Sequence, residues 1–303
     1  MTNISQNVYQ SYAPAKLNLF FEIHGRRSDG YHDVCSLCCP ISIYDSLIFE
    51  PLTYPKIEFC CQMTNIRKPV GEIPVNGENL VVKAIQKIRE RYGVSAGCKV
   101  RLMKRIPSQA GMGGGSSDAA TAIQLANRAW NLRLSPKEML ELGAELGSDV
   151  PLFFINGMSI GYGRGELVKS VPTKQPFYFV VVKPREGIST AEAFRYCMQN
   201  NKTSDEQKRF PDELISGLLQ GNWTRIADGL YNRLERTAET LCPKIRKIRE
   251  TFQKLDCIAH QMTGSGSAYF GLCRHRKHAE HLAAQLRLLT DCSVFTAQSI
   301  LKL

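Results

Sequence analysis

The stretch Pro107-Ser108-Gln109-Ala110-Gly111-Met112-Gly113-Gly114-Gly115-Ser116-Ser117-Asp118-Ala119-Ala120 decides how the rest of the chain is read. Four glycines within five residues let backbone N–H groups converge where side chains would block the approach. Ser116, Ser117 and Asp118 are all helix-capping residue types, so the loop is expected to feed a helix start. Behind them Ala122, Ile123, Ala126 and Trp130 recur at helical spacing. Free N–H donors at the positive end of a helix dipole form an anion site. One dipole contributes only ~0.3–1 kcal/mol at a surface. A triphosphate would therefore need several N–H bonds and nearby cations, such as Lys104 and Arg105. The bland competitor is a flexible, serine-capped surface loop.

The loop is neither a Walker A sequence nor a dinucleotide fingerprint, because G-x-x-x-x-G-K-[ST] and G-x-G-x-x-G both fail here. The protein-kinase signatures H-R-D and D-F-G are absent too. A nucleotide at this loop is bound by another architecture.

Outward from the loop, Ala15-Lys16-Leu17-Asn18-Leu19-Phe20 reads as a strand, residues 25–30 as a basic turn, and residues 34–49 as strand-like alternation. Residues 79–92 read as a helix stopped by Gly93, and residues 98–102 as a short strand. Ser135-Pro136-Lys137-Glu138 is a capping box opening a helix that closes at Gly147, with Ser148-Asp149-Val150-Pro151 directly after it. The glycine-rich stretch 157–165 marks the expected domain joint. Beyond it the order is strand, helix (190–198), polar loop, further helices, then strand, tight turn at 264–267, strand, helix, strand. That ending is a ferredoxin-like pattern.

The 303 residues suggest about two domains at ~150 residues each. With 43% hydrophobic and 22% charged residues, wholesale disorder is ruled out. The net charge of +11 favours an anionic partner: nucleic acid, an acidic membrane or a phosphorylated small molecule. The cations are dispersed, however, and no arm of about five or six consecutive cations exists. The longest apolar runs fall far short of the ~20 residues that span a bilayer, and no signal core precedes Lys16. Eleven cysteines, an odd count, then make reduced thiols in a cytoplasmic protein the default expectation.

Three blocks resemble the GHMP kinase superfamily: Ala13-Pro14-Ala15-Lys16-Leu17-Asn18-Leu19, residues 111–120, and Met262-Thr263-Gly264-Ser265-Gly266-Ser267. Gly30-Tyr31-His32, Gly147-Ser148-Asp149-Val150-Pro151 and Gly187-Ile188-Ser189-Thr190-Ala191-Glu192-Ala193-Phe194 narrow the resemblance to the branch acting on CDP-methylerythritol in non-mevalonate isoprenoid synthesis. It runs from about residue 12 to the C-terminus, in that branch's block order. It implies an α+β fold of two domains: a ribosomal-protein-S5-like ATP-binding domain over 1–165 and a ferredoxin-like domain over 166–303, with the substrate cleft between. It further implies ATP and Mg2+, a small-molecule acceptor, no nucleic acid or membrane partner, and a monomer or weak homodimer.

By the same resemblance Asp149 is the catalytic base and Lys16 its paired cation. Read alone, Asp149 is more often a cap before Pro151 and Lys16 an exposed strand residue. Residues 107–117 (Pro107, Ser108, Gln109, Ala110, Gly111, Met112, Gly113, Gly114, Gly115, Ser116 and Ser117), with Lys104, are expected to hold ATP. Asn79 would touch the adenine side or simply cap its helix. Tyr31 and Phe194 would sandwich the cytosine, with His32 on its polar edge. The plain competitor for Phe194 is core packing beside Ala191 and Met198. Asn18 shares a strand face with Lys16 and would hold acceptor hydroxyls. Thr190, Gly264 and Ser265 complete the acceptor set, the turn at 264–267 being also readable as a plain hairpin. Ser117 is the expected Mg2+ ligand; its carboxylate partner is left open between Asp118 and Asp149.

Cys38-Cys39-Pro40 departs from the family pattern and suggests a bend or an edge strand, and residues 54–75 and 199–209 match nothing assignable. Cys35-Ser36-Leu37-Cys38 lacks a second ligand pair for zinc. An RNA-binding protein would call for clustered cations among exposed aromatics, which are missing. A homoserine or mevalonate kinase remains the nearer alternative, against which stand Tyr31, His32 and Phe194.

Overall fold

Strand β1 (Tyr9–Arg26) carries Ala13, Ala15, Leu17 and Leu19 on one face and Lys16 and Asn18 on the other, and both faces are buried. The computed structural model in which this is seen describes residues 7–28, 30, 32–64, 73–200 and 208–301. Tyr31 lies outside the described residues, as do parts of the unassigned stretches 54–75 and 199–209.

Strand β2 (His32–Leu52) runs unbroken through Pro40. It is not an edge strand: β2 lies between β4 (Gly97–Lys104), paired over residues 46–52, and β1, pairs with β5 (Ser159–Tyr162) over residues 36–38, and the Pro40 carbonyl itself accepts the Ile300 N–H.

The chain folds as two compact units through which β1 and β2 both run: Met1–Ala15, Ile43–Ile106 and Gly113–Phe154 form the first; Lys16–Ser42, Pro107–Met112 and Ile155–Leu303 form the second. In the first unit, β4 pairs antiparallel with β2 (Leu47 opposite Leu102) and parallel with β3 (Ile57–Met63). Period-two alternation turns Ile43, Asp45, Leu47 and Phe49 of β2 inward, and likewise Cys98, Val100, Leu102 and Lys104 of β4. Helices α1 (Leu80–Tyr92), α2 (Gly114–Ala129) and α3 (Pro136–Leu146) pack on one another. Helix α1 is capped by Asn79 and closed by Gly93, while α3 opens with the full capping box of Ser135 and Glu138. Helix α2 starts earlier than its serines suggest. Gly113 is the N-cap, in the left-handed region at φ 67°, so Ser116 and Ser117 lie inside the first turn and cap nothing.

In the second unit, β5 hairpins to β6 (Leu167–Ser170), which places a strand and its turn within the glycine-rich stretch 157–165. A four-stranded antiparallel sheet follows, made of β7 (Tyr178–Lys183), β9 (Ala259–Met262), β10 (Tyr269–Cys273) and β11 (Ser293–Gln298) in the order β11-β7-β10-β9. Numbered within the sheet this is 4-1-3-2, the ferredoxin-like order. The two-residue strand β8 (Tyr231–Asn232) lies parallel to β1. Helices α4 (Thr190–Asn200), α7 (Glu235–Leu241), α8 (Pro243–Phe252) and α9 (Arg276–Leu289) contribute Ala193, Ala238, Ile245, Ile248, Phe252, Leu282 and Leu286 to one core with Val180, Val182 and Tyr269. Helices α5 (Asp212–Gln220) and α6 (Trp223–Gly229) pack as a pair. Among the described residues no helix is long and apolar enough to cross a membrane.

Candidate active site

In the second unit, the polar face of β1 meets two glycine turns. Lys16 is 4% exposed, and its ammonium donates to Asn18 Oδ1. The Asn18 amide donates to Ser36 Oγ (2.7 Å) and Cys38 Sγ (3.3 Å). Both ends of that amide are therefore engaged inside the protein. Asn18, expected at the acceptor hydroxyls, thus has Lys16, Ser36 and Cys38 among its side-chain partners here. Its backbone N–H donates to Thr263 Oγ at 2.9 Å, and the Thr263 hydroxyl also lies 3.3 Å from the Gly111 carbonyl.

The first glycine loop is anchored through its carbonyls. Gln109 accepts from the Ser267 N–H, Ala110 from Ala268, Gly111 from the Thr263 hydroxyl and Met112 from the Lys16 N–H (3.0 Å). None of the N–H groups of residues 110–116 has an acceptor among the described residues. A backbone with its oxygens used and its amides unspent suits an anion. Gly111 cannot be replaced without movement, because φ is +70° and a Cβ would collide with the Thr263 carbonyl.

Around the second turn, Thr190 at the start of α4 shares a hydrogen bond with Ser265 Oγ (2.8 Å). The Asn232 amide donates to the carbonyls of Met262 and Gly264, 2.9 Å each. Ser267 Oγ and the Lys183 ammonium both donate to the Glu186 carbonyl. Phe194 is half-buried, edge-on to Phe21 at 6.0 Å, and its ring centroid lies 5.3 Å from that of His32. It packs against the core and also faces His32, so both readings of this residue describe part of its surroundings.

The first unit holds the N-terminus of α2. The Ser117 hydroxyl is fully buried and has no hydrogen-bond partner among the described residues. The Asn79 side chain accepts from the Val81 N–H (3.0 Å) and donates to the Pro74 carbonyl (2.8 Å), which occupies it as a helix cap. Half-buried Asp149 sits in the turn between Gly147 and the 3-10 turn Pro151–Phe154. Lys104 corrects a sequence expectation. It is 5% exposed, and its ammonium is held by Asp45 and Asp118 (2.6 Å to the latter) rather than turned out toward a phosphate. Burial alone would lower its pKa, but Asp118 and Asp45 outweigh that and push it up to about 12. Burial, with Asp45 adding to it, raises Asp118 to about 7 against the pull of Lys104.

Sequence reasoning missed Asp45, Thr263 and Ser36. Asp45 had a signal: it is a carboxylate on the inward face of Ile43, Leu47 and Phe49, in register with an inward lysine on the neighbouring strand. Thr263 and Ser36 carried none beyond their place in a motif.

A glycine loop with unspent amides, a buried lysine and a ferredoxin-like sheet are the features of a small-molecule kinase of the GHMP class. Family models agree: "GHMP kinases N terminal domain" matches residues 79–157 and "GHMP kinases C terminal" matches residues 214–289. A 4-diphosphocytidyl-2-C-methyl-D-erythritol kinase of Carboxydothermus hydrogenoformans is 34% identical over 91% of this chain and 92% of its own length. A Streptococcus agalactiae protein described as a putative kinase of the same name is 37% identical over 89% and 92%. The crystal structure of a 4-(cytidine 5'-diphospho)-2C-methyl-D-erythritol kinase superposes with TM-score 0.77 at 29% identity, covering 96% of this chain and 99% of that one. The crystal structure of an L. major mevalonate kinase also reaches 0.77 but at 16% identity, covering 99% of each chain, which speaks for the fold alone. The chain belongs to the 4-diphosphocytidyl-2-C-methyl-D-erythritol kinase family of GHMP kinases.

Proposed function

We propose that the chain transfers the γ-phosphoryl group of ATP to the 2-hydroxyl of 4-diphosphocytidyl-2-C-methyl-D-erythritol, releasing ADP and the 2-phosphate, as a step of non-mevalonate isoprenoid synthesis. The observation that carries this reading is the identity, over nine-tenths of the chain, to enzymes bearing that name. The equally good superposition on a mevalonate kinase means that fold alone does not choose the acceptor.

Phosphoryl transfer asks for positioning, charge neutralisation and a destination for the hydroxyl proton. In this reading Asp149 accepts that proton, and Lys16, steadied by Asn18, stabilises the charge on the transferring group. The amides of residues 110–116 receive the phosphates, Tyr31 and Phe194 flank the cytosine, and His32 reads its edge. Thr190, Gly264 and Ser265 hold the acceptor beside them. We take residues 1–165 as the ATP-binding domain and 166–303 as the ferredoxin-like domain, with Tyr31 and His32 of the former and Phe194 of the latter both serving the acceptor. The buried, unpartnered Ser117 hydroxyl is a hard oxygen donor of the kind Mg2+ takes, so Ser117 would hold the metal. When bound, Mg2+ supplies charge neutralisation on the phosphates. All eleven cysteines are free thiols, which supports work in the reducing cytoplasm. We place the protein there as a monomer or weak homodimer.

The test is an ADP-release assay on the purified protein with ATP, Mg2+ and one acceptor at a time. CDP-methylerythritol is expected to drive ADP release, while CMP, homoserine and mevalonate leave it at background. Turnover with homoserine or mevalonate alone would overturn the acceptor assignment.

A further inference from the structure

Beneath the N-terminus of α2 lies a fully enclosed cluster of three charges: Asp45 is 0% exposed, Asp118 2% and Lys104 5%. Its members come from three elements, β2, β4 and α2, all within the first unit. Asp45 Oδ1 accepts the backbone N–H groups of Arg105 and of Ile106 (2.8 Å), at the point where β4 ends and the glycine loop begins. Asp45 Oδ2 accepts from the Lys104 ammonium, which reaches on to Asp118 Oδ2 in α2, just beyond the helix's first turn. Gly114 records how closely these parts fit. A Cβ there would stand 3.2 Å from Lys104 Nζ and 3.0 Å from Ile106 Cγ2, so the ammonium is packed directly against the first residue of the helix.

We propose that Asp45 is a positioning residue for the nucleotide loop: by gripping the loop's entry directly and its exit through Lys104 and Asp118, it sets where the α2 N-terminus presents its amides. This inference rests on the nucleotide reading of that loop. Enclosed charges are costly to assemble and weak evidence of net stability; here both oxygens of Asp45 are engaged while Asp118 Oδ1 has no partner among the described residues, so Asp45 is the firmly held end of the cluster. A carboxylate with two backbone donors from the loop entry and one shared ammonium leaves the loop entry little freedom. Asp45 itself touches no substrate and acts only through the backbone and Lys104.

The experiment measures the Michaelis constants for ATP and for the acceptor in Asp45→Asn, Asp118→Asn and Asp45→Asn/Lys104→Met proteins, with circular dichroism and melting curves to verify folding. Asp45→Asn is expected to raise the constant for ATP about ten- to a hundredfold, the scale of a displacement near 1 Å. The constant for the acceptor should change less than about twofold, within ordinary non-coupled scatter. Asp118→Asn, which leaves the loop entry tied, should move the ATP constant in the same direction by less. The double variant should be no worse than Asp45→Asn alone, as expected if Lys104 acts on the loop through Asp45. If Asp45→Asn does not fold, the Asp118→Asn result decides. A folded variant with an unchanged ATP constant, or with both constants raised equally, overturns the proposal, as does failure of both Asp variants to fold. Wild-type protein that neither binds nor turns over ATP would instead defeat the nucleotide reading itself.

Discussion

The backbone N–H of Asn18 donates to Thr263 Oγ across 245 positions of sequence, so the strand that carries Lys16 and the second glycine turn are held as one piece. The same hydroxyl reaches the Gly111 carbonyl of the first loop. One fully buried side chain thus registers three family blocks against one another within the second unit.

Thr263→Val keeps the shape and removes those bonds, stranding the Asn18 N–H in the interior. The expected loss is about 1–3 kcal/mol of unfolding free energy, the cost of one buried unsatisfied donor. Urea denaturation of the variant against wild type measures it. A loss below a few tenths of a kcal/mol would show that the hydroxyl is dispensable.

Phe194→Ala tests the cytosine pocket. Loss of a stacking face is worth about 1–3 kcal/mol per base, or roughly a five- to hundredfold rise in the Michaelis constant for the acceptor. The constant for ATP should stay put. Equal rises in both would return Phe194 to core packing with Phe21.

Lys183 gives the stability a pH dependence with a definite sign. Burial lowers its pKa from 10.5 to about 8, although its ammonium donates to the carbonyls of Pro184 and Glu186 at 2.8 Å each. Between pH 8 and 10.5 the unfolded chain holds this proton more often than the native one, so raising pH through that window favours the fold. Relative to Lys183→Met, wild type should gain on the order of 1–3 kcal/mol across it. Parallel stability curves for the two proteins would contradict the assignment.

Replacing Asp149 with Ala should lower kcat by ~10²–10⁴, the usual weight of a general base, with the fold intact by circular dichroism. Near wild-type turnover would remove Asp149 from the chemistry.

Much of this was legible in the sequence because local rules acted undisturbed. Gly93 ended a helix, Ser135 and Glu138 formed their box, and the strand and helix order after residue 177 matched the ferredoxin-like expectation. The failures share a cause. Helix α2 begins at Gly113 because a left-handed glycine can turn the chain earlier than a serine cap would. A cation beside an anion loop invites the reading that Lys104 faces phosphate. Its partners, 59 and 14 residues away, were fixed by the pairing of β2 with β4 and by the packing of α2. Local pattern names the residue types; tertiary register decides what each one touches.

The most direct test follows phosphorus by NMR in a mixture of the protein, ATP, Mg2+ and CDP-methylerythritol. The account predicts loss of the γ-phosphate signal of ATP, matched by equal growth of ADP and of one new phosphomonoester resonance, with the diphosphate of the acceptor intact. Unchanged ATP, or conversion of its γ-phosphate to inorganic phosphate alone, would contradict it.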